Sequence, residues 1–545
     1  MPSSDERFHP LSPEPKQAVV LIHGMGEQEP MGTIRDFVKA VWVTDETVRP
    51  PSLSPPPHDI WIKPDIKTGL QDLKRITTKP YKDRETGATG YRTDFFELYW
   101  ADLNKGSTLA EVENWIFGLL CRNPFKSVPP PLFFAWLLLL FVTLAVAYFA
   151  AIAIFKPESA VPYTHFYPFG WVKGSPFGPW FGPLIGVLLA AGMQRWLLPY
   201  IGCVVKYTRA RPENIAARKT IWERGHGLLE ALHDGTYERI VIVSHSLGTI
   251  LALDLLSLFW ASHPGSHSFE MNGEEMKLLI EIENAAKALR EEDKMPVQKS
   301  GFIAWLKAAL SAPINPTIKR SPDILQRTPA QQAFDEAQRK LACVLRQRSL
   351  PPAAPDQCRR WLITDFITLG SPLTHSEFLL HSNKNEFADH KRERDIAASP
   401  PVEDKITDPD QCRKAQNSGF SYVMDNDNGL RAEPPYIGMS FPFTISHTKD
   451  NVEDFWQLHH AAPFAVVRWT NIYAPHHLFY LRGDMISGPL APLFGSGVHD
   501  ICLDDYQKSR FFAHTKYWQL DKNGKATEAV KKLREALNLG CKGGV

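Results

Sequence analysis

Short apolar runs separated by longer amphipathic stretches set the pattern of this chain. Ala18–His23 (AVVLIH) is a β-branched run of the kind that forms a parallel strand buried on both faces. Phe95–Trp100 (FFELYW), Arg239–Val243 (RIVIV), Trp361–Leu369 and Ala465–Tyr473 read as further strands, and Val498–Leu503 as a weaker last one. Between them, Glu213–Leu232 reads as a helix and Leu247–Trp260 (LGTILALDLLSLFW) as an apolar helix. Strands alternating with helices predict an α/β fold: a mostly parallel sheet flanked by helices.

Two stretches depart from this pattern. Leu132–Phe155 holds 24 residues without a charge; a helix rising ~1.5 Å per residue would cover the ~30 Å hydrocarbon core with it. Pro179–Val205 is also apolar, interrupted by Gln194 and Arg195, and its small residues Gly182, Gly186 and Ala190 would let a second helix pack closely on the first. The intervening 156–178 carries Tyr163, Phe166, Tyr167, Phe169, Trp171 and Phe177, which suit the headgroup layer. A two-helix membrane hairpin is the expectation. Arg122, Lys126, Lys206, Arg209, Arg211, Arg218 and Lys219 flank it, against Lys156 and Lys173 in its loop. That cation bias puts the remaining parts of the chain in the cytoplasm. The first strand precedes the hairpin and Arg239–Val243 follows it, so one sheet requires an even number of crossings.

The organisation expected is a polar, Pro-rich, disordered lead-in over 1–17 that is no signal peptide, then core segments at 18–130 and 206–261 separated by the hairpin insertion, 131–205. Residues 262–358 read as a helical insertion or lid, with an amphipathic helix near 273–291 (Met276, Leu279, Ile282 and Leu289 on one face) and an apolar patch, Phe302–Leu310. Residues 359–545 complete the core, interrupted by a charged, loop-like 383–460. Within the latter, Asp425–Gly429 (DNDNG) fails as a calcium loop: aligned on its glycine, Met424 stands first and Pro435 twelfth.

The 61 basic and 60 acidic residues leave a net charge of +1, which gives no general attraction for nucleic acid. Seven scattered cysteines (121, 203, 343, 358, 412, 502 and 541) read as reduced thiols, without zinc-type pairs, and no Walker-type glycine loop is present. Acyl transfer by a serine, the chemistry favoured below, needs no metal or organic cofactor. Ser246, in Ser244-His245-Ser246-Leu247-Gly248, sits between a β-branched strand and an apolar helix. A serine on such a turn has its hydroxyl held out of the sheet edge, with helix-initiating N–H groups beside it to stabilise a developing oxyanion. Ser244 stands where the pattern has glycine, so a strained dihedral is expected there.

VVLIHGMGEQEP, VIVSHSLGTILALD, FITLGSPLT and the late GDMISGPL…AHTKYW together resemble the α/β-hydrolase superfamily, in its lipase-like branch. The resemblance covers roughly 1–110, 210–260, 360–380 and 465–520, not the hairpin or the two polar insertions. It implies an oxyanion hole formed by the amides of Met25, in His23-Gly24-Met25-Gly26, and of Leu247. It also implies the order serine, acid, histidine. Asp484-Met485-Ile486-Ser487-Gly488 resembles the D-P-[IV]-[SA]-G turn that carries the acid in similar lipases, with methionine in place of proline. Asp365, inside an apolar run, is its main rival; Asp500, Asp504 and Asp505 are other late acids. His514 follows the last strand, as the family's histidine does, with His499 and His476-His477 as alternatives; His447, His459 and His460 read as structural. The expected activity is a membrane-anchored serine esterase or lipase using Ser246, Asp484 and His514 on a carboxylic, lipidic ester. The alternatives are an inactive membrane-tethered interaction protein on the same fold, or an acyltransferase using the same triad.

Overall fold

The computed structural model describes residues 15–24, 29–48, 60–64, 74–82, 89–104, 109–123, 128, 132–133, 136–137, 139–145, 147, 207, 212–263, 267–270, 274–293, 327–348, 360–381, 383–406, 408–417, 436–448, 451–475, 483–484, 486–503 and 513–540. Its centre is an eight-stranded sheet. Strand β1 (Lys16–Ile22) lies between β4 (Thr89–Leu98) and β5 (Tyr237–His245), parallel to both. Beyond β5 the parallel order continues through β7 (Ile363–Leu369), β12 (Arg468–Tyr473) and β13 (His499–Cys502). On the other side, β3 (Lys74–Lys82) and β2 (Ile60–Pro64) add an antiparallel edge to β4. The remaining strands stand apart: β6 (Ser268–Glu270) joins β10 (Ser440–Thr448) and β11 (Asn451–Leu458), and β8 (Asp404–Ile406) pairs with β9 (Tyr436–Gly438).

The apolar runs form these strands because both sheet faces are covered. Ala18, Val20 and Ile22 enter one hydrophobic cluster, while Val19 and Leu21 enter the other, and β5 divides its residues the same way. The first cluster packs under helices α3 (Pro212–His233), α4 (Gly248–Ser262), α5 (Glu274–Asp293) and α6 (Pro329–Gln347). The second packs under α1 (Gly32–Val38) and α7 (Glu528–Leu537). A strand hydrophobic on every residue is thus the signature of a sheet with helices on both sides.

Three expectations are corrected. The first strand begins at Lys16, so the lead-in ends before residue 17; residues 1–14 lie outside the described part. For the described helices of 262–358 the lid alternative gives way to the helical insertion: they belong to the core, with Leu279, Ile282, Leu341 and Leu345 fully buried in the larger cluster. Residues 383–460 are not a loop: they contain helices Lys384–Arg392 and Pro409–Asn417 and the hairpin of β10 and β11. Buried Glu283 of α5 anchors that hairpin, accepting hydrogen bonds from the Met439 and Ser440 amides and the Ser440 hydroxyl (2.8, 2.8 and 2.7 Å to Oε1). Phe302–Leu310 and Asp425–Gly429 lie outside the described residues.

Of the first apolar run, residues 139–145 are helical, and Trp136 donates its indole N–H to the Leu119 carbonyl (3.0 Å) at the end of α2 (Leu109–Leu120). Residues 156–178 and 179–205 lie outside the described part. Among the described residues, no helix is long and apolar enough to cross a membrane.

Candidate active site

The carboxyl-terminal ends of β1, β5, β7 and β12 converge on Ser246. This residue follows β5 directly and adopts φ +53°, a left-handed conformation that costs a serine about 1–3 kcal/mol. The strain expected at Ser244 falls here instead; Ser244 remains in the extended strand and donates its hydroxyl to the Ile367 carbonyl (3.2 Å). Surrounding bonds hold the turn in place. The Ser246 amide donates to the Leu369 carbonyl (3.0 Å), and the Ser246 carbonyl accepts from the amide and hydroxyl of Thr249 (2.9 and 2.7 Å). Gly248 is required by close approach, since a Cβ there would lie 2.3 Å from the His23 carbonyl oxygen. The α4 N-terminus therefore abuts the end of β1, and the Leu247 amide makes no hydrogen bond among the described residues.

Three expected residues meet. The His514 ring, in a 3-10 turn at Ala513–Thr515, lies with Nε2 2.7 Å from Ser246 Oγ and Nδ1 2.9 Å from Asp484 Oδ2. A carboxylate only accepts, so Nδ1 carries the proton toward Asp484 and Nε2 is left to accept the serine hydroxyl proton. Burial works to raise the Asp484 pKa. The opposing charge of His514, with hydrogen bonds from His514, Tyr517 and the Ile486 amide, outweighs it and holds the carboxyl at about 2. Asp484 thus stays ionised in a site that is almost dry. All three side chains are buried.

Other expected residues are placed elsewhere. Asp365 sits at the opposite end of its strand, bound to Arg239 (2.6 Å) and Arg468 (2.6 Å). Asp500 accepts from the Leu490 and Ala491 amides and from Asn471, which fixes the loop after Asp484 rather than a histidine. His499 lies on β13, its ring lowered to about 4 by burial, and His459 bonds the Val402 carbonyl through Nε2 (2.8 Å). Met25, His476, His477, Asp504 and Asp505, and the side chain of His447, lie outside the described part. His23 is neutral, lowered to about 4 by burial; it accepts from the Trp100 amide at Nε2 (3.3 Å) and so donates from Nδ1 to the Gly24 carbonyl (2.9 Å). Its imidazole stacks on Trp100.

Comparison of the chain with protein-family models, curated proteins and solved structures gives no match. The geometry stands by itself.

Four supporting residues escaped the sequence reading. Tyr517 donates to Asp484 Oδ2 (2.8 Å) and accepts from the Ala474 amide (3.1 Å), orienting the carboxylate. His245, kept neutral by burial that lowers it to about 3, donates from Nε2 to the His514 carbonyl (2.7 Å) and pins the backbone that carries the ring. Gly370 has φ +58°, and a Cβ there would lie 2.6 Å from the Tyr517 ring and 3.1 Å from Asp484 Oδ2. Glu97, at the end of β4, accepts from the Met31 amide (2.9 Å), and burial pushes its carboxyl up to about 7. The signals for Tyr517, His245 and Gly370 were in the motifs AHTKYW, VIVSHSLGTILALD and FITLGSPLT; Glu97 has only an ordinary strand-end context. Among the described residues, no group of three or more His, Cys, Asp or Glu side chains is arranged to hold a metal ion.

Proposed function

We propose that this chain is a serine hydrolase of the α/β-hydrolase superfamily, lipase-like, that cleaves carboxylic esters through an acyl-enzyme. The observation that carries the reading is the unbroken path from Ser246 Oγ through His514 to Asp484, with the serine on a left-handed turn between strand and helix. On this reading Ser246 Oγ attacks the ester carbonyl carbon as His514 Nε2 takes its proton. The C–O bond to the alcohol then breaks, and His514 returns the proton to the departing oxygen. Water, deprotonated by His514, attacks the acyl carbon; its bond to Ser246 Oγ breaks, His514 returns the proton to Oγ, and the acid is released. Asp484 stabilises the imidazolium in both half-reactions, and the amides of Leu247 and Met25 receive the oxyanion charge. These steps call for no metal or organic cofactor.

The same reading puts the substrate at a membrane. Its support is the uncharged run Leu132–Phe155 together with the exposure of large apolar side chains in it, Phe141 at 70% and Leu144 at 60%, and of Phe117 in α2 at 70%. A two-helix hairpin over 131–205 follows from the two apolar runs, and a cytoplasmic hydrolase from the flanking cations. Lipidic esters are then the substrate class.

A fluorophosphonate probe tests the reading. Wild-type protein should be labelled at Ser246 and should hydrolyse p-nitrophenyl butyrate. Folded Ser246→Ala should lose labelling and at least about 10⁴-fold in turnover. A folded wild type that takes no label would favour the inactive interaction protein, and equal turnover in the variant would remove Ser246 as nucleophile.

A further inference from the structure

At the end of the sheet away from Ser246, where β5, β7 and β12 begin, α6 covers a cleft of about 410 Å³. Its wall is apolar at Ala342 and Val466, with Cys343 beside them. Its charges are unequal: Arg239, Arg339, Lys340, Arg346 and Arg468 against Glu336 and Asp365. Most of these are matched. Asp365 binds Arg239 and Arg468, and Lys340 reaches Glu281 and Glu336 (2.8 and 3.1 Å).

Arg346 is different. It lines the cleft at 8% exposure, and among the described residues its guanidinium meets only the Cys343 sulfur, at 3.9 Å. The last turn of α6 gives it a partial negative dipole but no counter-ion. A largely buried guanidinium with five donors and no oxygen acceptor on the described chain leaves most of its donors turned to the cleft. The space in front of it is large enough for a small molecule. We propose that this cleft is a binding site for a phosphate-bearing ligand, with Arg346 gripping two phosphate oxygens by its fork and Arg339 and Lys340 closing over the others. The apolar wall takes the body that the phosphate is attached to. The site is independent of the triad and of any reading of its chemistry.

The test uses the full chain in detergent. Phenyl phosphate and inorganic phosphate should bind saturably, and each should slow maleimide modification of Cys343 relative to Cys121, which is exposed. Acetate at equal ionic strength should do neither; equal protection by acetate would overturn the choice of phosphate. Arg346→Gln should weaken phosphate binding at least about tenfold and leave fluorophosphonate labelling of Ser246 unchanged. Binding that is equal in the variant, or no saturable binding and no Cys343 protection in the wild type, would overturn the proposal. The protection experiment needs no variant, so it decides even if Arg346→Gln fails to fold. Vesicles of phosphatidylcholine with phosphatidic acid separate the two sources of the phosphate. Protection of Cys343 by vesicles assigns a lipid headgroup, and protection by the soluble phosphates alone assigns a metabolite.

Discussion

Two buried aspartates stand at opposite ends of the same sheet. Asp484, near the carboxyl ends of the strands, faces an imidazole that shares its proton with a serine. Asp365, near the amino ends, faces two guanidiniums that never give up a proton. Both carboxyls are held below the ordinary range against burial, so depression alone does not mark a catalytic acid. The partner does. A carboxylate opposite a histidine can stabilise a charge that comes and goes, whereas one opposite two arginines ties fixed charges together and fastens β5, β7 and β12 to the C-terminal α7, whose Leu537 carbonyl Arg239 also reaches (3.1 Å). The backbone does not separate the two ends: Ser246 and Gly370 have positive φ at the carboxyl end, and Asn538, whose carbonyl accepts from Arg239, has φ +44° at the amino end.

The largest effect expected from this contrast is on turnover. Asp484→Asn should lower kcat for p-nitrophenyl butyrate about 10⁴-fold while leaving the unfolding transition close to that of the wild type. Asp365→Asn should do the reverse, with kcat within about threefold and stability lower by about 3 kcal/mol in urea unfolding, since two arginines lose their counter-charge. If Asp365→Asn proves the more damaging to kcat, the two aspartates have been assigned the wrong way round.

Glu97 sharpens the comparison, because it is a carboxylate at the active end with no cation beside it among the described residues. Its folded pKa, about 7, lies above the ordinary 4.5, so ionisation opposes folding. The stability present below pH 4.5 is lost as pH rises through 7. The advantage of Glu97→Gln over wild type should therefore be about 2.5 kcal/mol greater at pH 8 than at pH 5. A difference that does not vary between the two pH values would mean that Glu97 ionises as readily in the folded state as in the unfolded one.

The smallest effect belongs to Tyr517→Phe. Removing the hydroxyl leaves Asp484 with its bonds from His514 and Ile486, so a loss of about tenfold in kcat is expected, with KM unchanged. A loss as large as that of Asp484→Asn would promote the hydroxyl from orienting the acid to a direct part in proton transfer.

Legibility followed the range of the interactions. The parallel strands could be read because burial on both faces demands apolar residues at every position, as in Ala18–Ile22. The start of β4, Thr89–Asp94, could not be read: its polar residues are satisfied by distant partners, Thr93 by Gln17 (2.9 Å) and Asp94 by Tyr237 (2.7 Å). The hairpin of β10 and β11 was missed because Glu283, far along the chain, satisfies its polar start. Helix α6 did carry a local signal, a capping box between Thr328 and Gln331, which a closer scan of 262–358 would have used.

The sequence by itself determined the turn at Ser246, because a strand, a serine, a small residue and a helix are contiguous and their geometry is local. It narrowed the candidates for the proposed acid and base to a few late residues. Only the tertiary structure chose among them. His514 lies 268 positions from Ser246, and what separates Asp484 from Asp365 is whether folding brings up a histidine or two arginines. Electrostatic partners act across space, over a few ångströms, and the order of residues along a chain does not encode that distance.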